Sequence, residues 1–185
     1  MPKQIKLATE LGSMIMELDL DKAPITANHF LSLVTDGSLK DSFFYRIVHD
    51  SGTDEPPTID VIQGGLGWES TREIPATEHE TTLSTGLSHC DGAVSLARSS
   101  DTGAGSEFFI CIGDQPILDA TEENSGANGG FAVFGRIIDG MDVVLSIHNL
   151  PADRDPPGGD ERFAGQFLTD YVAIDIQLLP DEPSS

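Results

Sequence analysis

Two long polar side chains stand in short apolar segments where core residues are expected. Arg46 lies in "FFYRIV" and Gln63 lies in "VIQGG". Arginine is permanently charged and offers several N–H donors in a rigid fork, and a glutamine amide both donates and accepts hydrogen bonds. Together they predict a site that holds and polarises a bound group. Taken singly, Arg46 is more simply interpreted as pairing with one of the 31 acidic residues, and Gln63 as an exposed polar residue.

Both residues are predicted to lie in strands, so the alternation of side chains decides what they face. Strict alternation places Phe44, Arg46 and Val48 on one face of the first strand. It places Gln63 on the same face as Val61 in the second strand. Residues 49–59, an acidic segment with two prolines, separate the two strands. Long loops on a rigid scaffold are often functional, so this segment is a candidate part of the site.

Other reactive residues give weaker signals. The five histidines show no HxH or HExxH spacing, so no metal site is predicted. His89 and Cys90 are adjacent in "SHCD", but neighbouring side chains diverge, so they are not a nucleophile and its base, and a surface loop is expected. Cys111 in "FFICIG" is expected to be a buried apolar thiol. Two cysteines do not suggest a disulfide framework.

Charge and length exclude several classes of protein. The 185 residues carry a formal net charge of −21, which repels nucleic acid and anionic lipid. There is no apolar run of the length that spans a membrane. We expect no nucleic-acid or membrane partner, a monomer, and a cytoplasmic location, with the periplasm possible if a signal peptide has been removed. Residues 1–179 are predicted to form a single domain, and residues 180–185 a flexible tail.

The pattern of elements favours a mainly β fold. Short segments rich in β-branched and aromatic residues predict eight strands, at 3–8, 13–19, 43–48, 59–64, 92–97, 107–113, 131–138 and 171–179. Two amphipathic helices are predicted. The first begins near Pro24 and carries Ala27, Phe30, Leu31 and Val34. The second follows Gly140 and carries Met141, Val144 and Leu145. A closed antiparallel barrel capped by the two helices removes exposed sheet edges.

The motifs resemble a known family. "FFYRI", "VIQGG", "GAVSLARSSDTGAGSEFFICIGD", "LD" and "FAVFGRIIDGMDVV" follow the order of the cyclophilin-type peptidyl-prolyl cis-trans isomerases, and the chain resembles a divergent, bacterial-like member. The resemblance runs from about Ile5 to about Leu178. It implies an eight-stranded antiparallel barrel, with two capping helices and a groove on the outer face. In that family the spacing between Arg46 and Gln63 is shorter, so residues 49–59 resemble an insertion beside the groove.

The resemblance also implies roles for residues. Arg46, Gln63 and Phe109 are expected to be catalytic, with Phe109 as the floor of a proline pocket. An Xaa-Pro bond rotates slowly because of its partial double bond, with a barrier of about 20 kcal/mol. Twisting it leaves a lone pair on the prolyl nitrogen, which a fixed donor such as Arg46 can bind more strongly in the transition state. Gln63 orients the substrate, and no cofactor is required.

Further residues are expected to bind the substrate, and several depart from the family pattern. The expected substrate-binding residues are Val61, Ala97, Arg98, Ser99, Glu107, Ile117, Leu118 and Phe131. Val61 and Asp60 replace larger apolar residues, and Phe131 replaces a histidine. Glu107 replaces a glutamine and is expected to pair with Arg98 or Arg46. Ile117 replaces an aromatic residue that contacts cyclosporin, so weak cyclosporin binding is expected.

Two functions are compatible with these residues and motifs, and a third is disfavoured. The first is an active isomerase whose partners are proline-containing peptides and unfolded proteins. The alternative is a cyclophilin-like module that binds proline segments with little or no catalysis. A barrel that carries a hydrophobic ligand inside is disfavoured, because a small barrel is filled by its own side chains.

Overall fold

The computed structural model describes residues 2–99, 103–124 and 129–181. The strands are β1 Gln4–Thr9, β2 Gly12–Leu18, β3 Phe43–Val48, β4 Val61–Gly65, β5 Ala93–Ser99, β6 Gly103–Cys111, β7 Ala132–Asp139, β8 Phe167–Ala173 and β9 Asp175–Leu178. The helices are α1 Pro24–Thr35, α2 Thr82–Thr85 and α3 Met141–His148. Most of the predicted tail, 182–185, lies outside the described residues, and Asp181 forms an ion pair with Lys3 at 2.7 Å.

The strands form one antiparallel sheet that curls into a nearly closed barrel, which confirms the predicted fold class. The order is β8-β3-β4-β6-β5-β7-β2-β1-β9. The two outer strands are consecutive in the chain, with β8 paired to β3 and β9 paired to β1. The predicted last strand is therefore divided between two edges of the sheet. The break falls at Ile174, whose N–H donates to the carbonyl of Ser42 at 2.9 Å as the chain crosses from one edge to the other.

Aromatic side chains fill the barrel interior. Phe30 of α1 lies 4.9 Å from Phe134 and 5.5 Å from Phe108 between ring centroids, and all three rings are fully buried. Helix α1 thus closes one end of the barrel with a ring. Its first backbone N–H groups, at Ile25 and Thr26, donate to the carboxylate of Glu80. An acidic residue at a helix N-terminus also stabilises the helix electrostatically.

Helix α3 packs on the barrel through a face that matches the predicted one at Met141 and Val144 but not at Leu145. Val143, Val144 and Ile147 are buried, whereas Leu145 is 44% exposed. The expectation for Leu145 was wrong because the buried stripe is rotated towards Val143. None of the helices in the three described ranges is long and apolar enough to cross a bilayer.

A bulge in β3 changes the predicted alternation of side chains. The pairing of β3 with both neighbouring strands shifts between Phe44 and Arg46. Phe44 and Ile47 therefore point into the main core, and the prediction that Phe44 shares a face with Arg46 was wrong. A bulge leaves one residue without a partner and redirects the side chains around it. Here it places Tyr45 and Arg46 together beside Gln63.

Candidate active site

A groove of about 920 Å³ lies on the outer face of the barrel. Most of the predicted site residues line it, namely Arg46, Val61, Gln63, Ala97, Arg98, Glu107, Phe109, Leu118 and Phe131. Ile117 does not line this groove, and its side chain is 66% exposed. Ser99 belongs to β5, but its side chain lies outside the described part of the structure.

Strand register aligns the three expected catalytic residues in one row. Arg46 of β3 is the cross-strand partner of Gln63 of β4, and Gln63 is the partner of Phe109 of β6. Neighbouring strands lie roughly 4.8 Å apart, so Arg46 and Phe109 are separated by about two strand spacings. The row therefore joins a cationic donor at one end to an aromatic surface at the other.

The aromatic end of the row is a second apolar cluster, separate from the main core. Phe109 packs there with Val61 and Leu118, and Phe131 packs against the cluster. The Phe109 and Phe131 rings meet edge to face, with centroids 5.4 Å apart. Asp60 is not among the residues lining the groove. Ile59 and Val61 line this part of it, so the expected polar change at Asp60 does not reach the wall.

The guanidinium of Arg46 is held from two sides. Its Nη1 donates to Gln63 Oε1 at 2.7 Å, and its Nε and Nη2 donate to Gln166 Oε1 at 2.9 and 2.6 Å. The rings of Trp68 and Phe163 lie 5.7 and 5.2 Å from the guanidinium carbon. Burial lowers the pKa of Arg46, although nearby Tyr45 opposes this effect. Arginine pKa values are so high that the group stays charged, and it is fixed before any ligand binds.

Gln63 continues a directional chain of hydrogen bonds. Because arginine can only donate, the Gln63 oxygen faces Arg46 and its Nε2 donates to the Tyr45 hydroxyl at 2.9 Å. The Tyr45 hydroxyl in turn donates to Glu107 Oε2 at 2.6 Å. Burial, followed by the neighbouring Glu107 carboxylate, raises the pKa of Tyr45 well above its ordinary value. The phenol therefore remains a donor, and the chain of bonds keeps its direction.

Glu107 anchors the end of this chain and the turn after β4. Its carboxylate accepts from the backbone N–H of Leu66 at 3.0 Å and of Gly67 at 3.2 Å, and from Ser106 Oγ at 2.9 Å. Burial raises the pKa of Glu107, and the hydrogen bond from Tyr45 opposes that shift. Of the two pairings expected for Glu107, the one with Arg46 is not formed, since the carboxylate accepts from Tyr45 and the guanidinium donates to Gln63 and Gln166.

Arg98 borders the aromatic end of the groove. Its Nε and Nη2 donate to the carbonyl of Gly130 at 3.0 and 2.6 Å. Its guanidinium carbon lies 5.7 Å from the centre of the Phe131 ring, within range of a cation–π contact. The Arg98 cation is thus attached to the wall of the groove.

The "SHCD" segment is a largely exposed loop, as predicted, except that one of its side chains is buried. Cys90 is exposed, but His89 is only 1% exposed. The ring of His89 lies parallel to Phe109, with centroids 5.8 Å apart. Its Nδ1 donates to Asp119 Oδ1 at 2.7 Å, since a carboxylate only accepts, and its Nε2 accepts from Ser95 Oγ at 3.0 Å. His89 therefore supports the floor of the groove from behind.

Cys111 is buried, as predicted. Burial raises the pKa of its thiol to about 12. The thiolate form that reacts with electrophiles is then negligible at neutral pH. Cys111 acts as an apolar residue of the cluster that contains Phe109.

Replacing Gln166 by leucine is expected to lower kcat/KM for a proline peptide about 10-fold, because Arg46 loses the acceptor that orients its fork. The loss should appear in kcat more than in KM, since Gln166 acts through Arg46. Gln166→Glu, which keeps an acceptor oxygen, is the matched control and should retain most of the activity. Equal losses in both variants would contradict a positioning role.

The pH dependence of stability should report the buried ring of His89. Burial lowers its pKa below the ordinary 6.5, although Asp119 opposes this. The unfolded chain therefore takes up a proton at a pH where the folded protein does not, so stability falls as pH drops below 6.5. Relative to His89→Gln, the wild type should lose at most about 1.4 kcal/mol per pH unit in this window, measured by urea unfolding. A difference that does not vary with pH would contradict a neutral buried ring.

The fold and the groove together define a class of protein. A filled antiparallel barrel carries an outer cleft in which a fixed guanidinium faces an apolar aromatic floor. The family model for cyclophilin type peptidyl-prolyl cis-trans isomerase/CLD matches residues 4–164. The chain belongs to this family.

Named relatives agree with this assignment. A peptidyl-prolyl cis-trans isomerase of Acinetobacter baylyi is 35% identical over 150 residues, which cover 80% of this chain and 72% of that protein. Peptidyl-prolyl cis-trans isomerase B of Escherichia coli is 30% identical over 149 residues, covering 79% and 84%. A crystal structure of a Cryptosporidium parvum cyclophilin type isomerase has the same fold, with a TM-score of 0.70 at 20% identity over 98% of this chain and 100% of that one. The family and the two enzymes of Acinetobacter baylyi and Escherichia coli show a peptidyl-prolyl cis-trans isomerase rather than a binding module without catalysis.

Proposed function

We propose that this chain accelerates rotation about Xaa-Pro bonds in peptides and unfolded proteins, with Arg46, Gln63 and Phe109 as its catalytic residues. The observation that carries the proposal is the row in which the three residues are cross-strand partners. The proline ring binds on Phe109 between Val61, Leu118 and Phe131, where the cluster excludes water. The substrate amide then extends across Gln63 towards Arg46.

Arg46 lowers the barrier by binding the twisted amide more strongly than the planar one. Gln63 and Gln166 occupy three of its N–H groups, and the rest of the fork remains for the substrate. As the bond twists, amide resonance is lost and the prolyl nitrogen gains a lone pair, which one of these N–H groups binds. Because the guanidinium is already oriented, it needs no reorganisation during the reaction. No bond is made or broken, so neither a nucleophile nor a metal ion takes part.

Gln63 orients both partners of this interaction. Its oxygen is bound to Arg46 and one amide hydrogen to Tyr45, which leaves the other amide hydrogen for a substrate carbonyl. A carbonyl held there keeps one side of the bond fixed while the other side rotates. Orienting the reacting group in this way removes part of the entropic cost of reaching the transition state.

The test is an exchange measurement by NMR on a tetrapeptide with one Xaa-Pro bond. Spontaneous exchange takes tens to hundreds of seconds. Catalytic amounts of the protein should bring cis and trans signals into exchange far faster than this. If the peptide binds but exchanges only at the spontaneous rate, the protein is a proline-binding module instead.

The substrate class is supported by one structural neighbour. A Cryptosporidium parvum cyclophilin type isomerase, with a TM-score of 0.69 and 22% identity, was crystallised in the presence of the dipeptide Ala-Pro. We propose that this chain also acts on proline-containing substrates, because its own groove has an apolar floor. Arg98 at the wall should favour peptides with an acidic or carbonyl group near the proline.

We further propose weak cyclosporin binding, a monomeric state and a cytoplasmic location. Ile117 is exposed, does not line the groove and lacks the flat surface of an aromatic ring. The net charge of −21 opposes self-association, as ultracentrifugation at low ionic strength would test. Cys90 and Cys111 are both free thiols, which suits a reducing compartment.

A further inference from the structure

Two histidines and an aspartate meet at the base of the segment that separates Arg46 from Gln63. His49 and Asp60 stand at its two ends, and His148 is the last residue of α3. One ligand atom from each lies within 4.8 Å of the other two. The Asp60 Oδ1 is 4.0 Å from His49 Nδ1 and 3.5 Å from His148 Nε2. His49 and His148, which are 99 positions apart in the sequence, are thereby brought close together.

These distances suit a small divalent ion. Bonds of about 2.0–2.2 Å from Zn²⁺ to nitrogen and oxygen place tetrahedral ligands roughly 3.4 Å apart. The Asp60 oxygen lies 3.5 and 4.0 Å from the two nitrogens, and all three ligand atoms lie within 4.8 Å of one another, so the site closes if no separation shortens by more than about 1.4 Å. His49 is about half exposed, so its ring can make that movement, and an ion can enter from solvent. Three protein ligands leave a further position for water.

The surroundings of His148 also favour a cation. The side chain is only 8% exposed and ends α3, where the helix dipole presents partial negative charge. The carbonyl of Val48 lies 2.8 Å from Nε2 and accepts its proton. For coordination the ring proton moves to Nδ1 and the ring turns so that Nε2 points to one side of the Val48 carbonyl, because an ion about 2.0–2.1 Å from Nε2 on the present line to that oxygen would overlap it. The Val48 carbonyl then remains as a further oxygen dipole beside the ion.

We propose that His49, Asp60 and His148 bind one divalent transition-metal ion of the Zn²⁺ type. The ion ties both ends of the 49–60 segment to α3. Two imidazoles with one carboxylate select such ions over Mg²⁺ and Ca²⁺, which prefer all-oxygen ligands. The proposal goes beyond the isomerase reaction, in which no ion takes part.

The site adjoins the groove without entering it. Asp60 lies between Ile59 and Val61, which both line the groove. Val48, whose carbonyl faces His148, belongs to the cluster that contains Phe109. A bound ion therefore holds the backbone on either side of the wall that contacts the proline ring.

Co²⁺ titration of metal-free protein tests the site, because its visible absorption reports the number and type of ligands. We expect one equivalent to bind and Zn²⁺ to displace it. His49→Gln and Asp60→Asn should each weaken binding at least 10-fold. Asp54→Asn in the same segment and His29→Gln on α1 are matched controls that should leave binding unchanged. Both substituted ligands are partly exposed, so the variants should fold.

Three outcomes would overturn the proposal. The first is unchanged affinity in both ligand variants, and the second is an equal loss in the controls, which would indicate diffuse binding to the acidic surface. The third is that adding Zn²⁺ leaves the ¹⁵N chemical shifts of His49 Nδ1 and His148 Nε2 unchanged. Prolyl isomerisation by the metal-free wild type is measured separately, so failure of either proposal is recognised independently.

Discussion

Arg46→Ala is expected to lower kcat/KM for a proline peptide by about 10²–10³-fold, the loss typical of removing one oriented donor from a site that stabilises charge. The guanidinium is the group in the row that can donate to the prolyl nitrogen while remaining fixed by Gln63 and Gln166. Peptide affinity should change much less, because the proline ring binds at Phe109. NMR exchange rates and a binding titration on the same peptide separate the two effects.

Arg46→Lys is the matched control for charge. Lysine keeps the positive charge but cannot bind Gln63 and Gln166 through a planar fork. We expect an intermediate rate, closer to alanine than to wild type, if orientation of the donor matters more than charge. A rate equal to wild type in Arg46→Ala would remove Arg46 from the mechanism, whereas recovery of full activity in Arg46→Lys would indicate a purely electrostatic role.

The row of Arg46, Gln63 and Phe109 was predictable from sequence, but the side chains that fix it were not. "FFYRI", "VIQGG" and "SEFFIC" are local motifs, and strand pairing brings local motifs into register. Gln166 reaches Arg46 from 120 positions away, through a loop with no regular pattern. The position of Tyr45 depends on a bulge, which alternation alone does not reveal.

The same limit applies to the fold. Strand segments and the barrel followed from residue composition and the resemblance, because each strand is marked by its own side chains. The division of the last strand into β8 and β9 depends on the two sheet edges that it joins, and those edges are formed elsewhere in the chain. The meeting of His49 with His148 likewise results from packing of α3 on the barrel, for which no spacing rule exists.

Glu107 explains why the "QGG" motif ends in a turn with little room. Gly65 has a φ of +140°, and a Cβ atom there would lie 2.6 Å from Glu107 Oε2. The carboxylate fills the space that a side chain would occupy and binds the next two backbone N–H groups. A carboxylate accepts at both oxygens, whereas the family's glutamine accepts at only one. The acidic residue therefore suits a turn that presents two donors together with the Tyr45 hydroxyl.

Glu107→Ala is accordingly expected to lower the free energy of unfolding by roughly 2–4 kcal/mol, because each partly buried N–H that loses its acceptor costs 1–3 kcal/mol. Removing a buried carboxylate also relieves its desolvation, which keeps the loss below the sum of the separate bonds. Urea unfolding measures this change.

Glu107→Gln separates the effect on the turn from the effect on the row of Arg46, Gln63 and Phe109. It keeps one acceptor and the size of the side chain, so we expect a loss of about 1 kcal/mol. Its amide hydrogens would face the Tyr45 hydroxyl, which already accepts from Gln63, so Tyr45 would lose the carboxylate to which it donates. The chain of bonds that orients Gln63 is then weakened, and kcat should fall severalfold while KM stays close to wild type. Greater stability with unchanged kcat would show that the glutamine suffices and that the charge of Glu107 serves neither the turn nor the row.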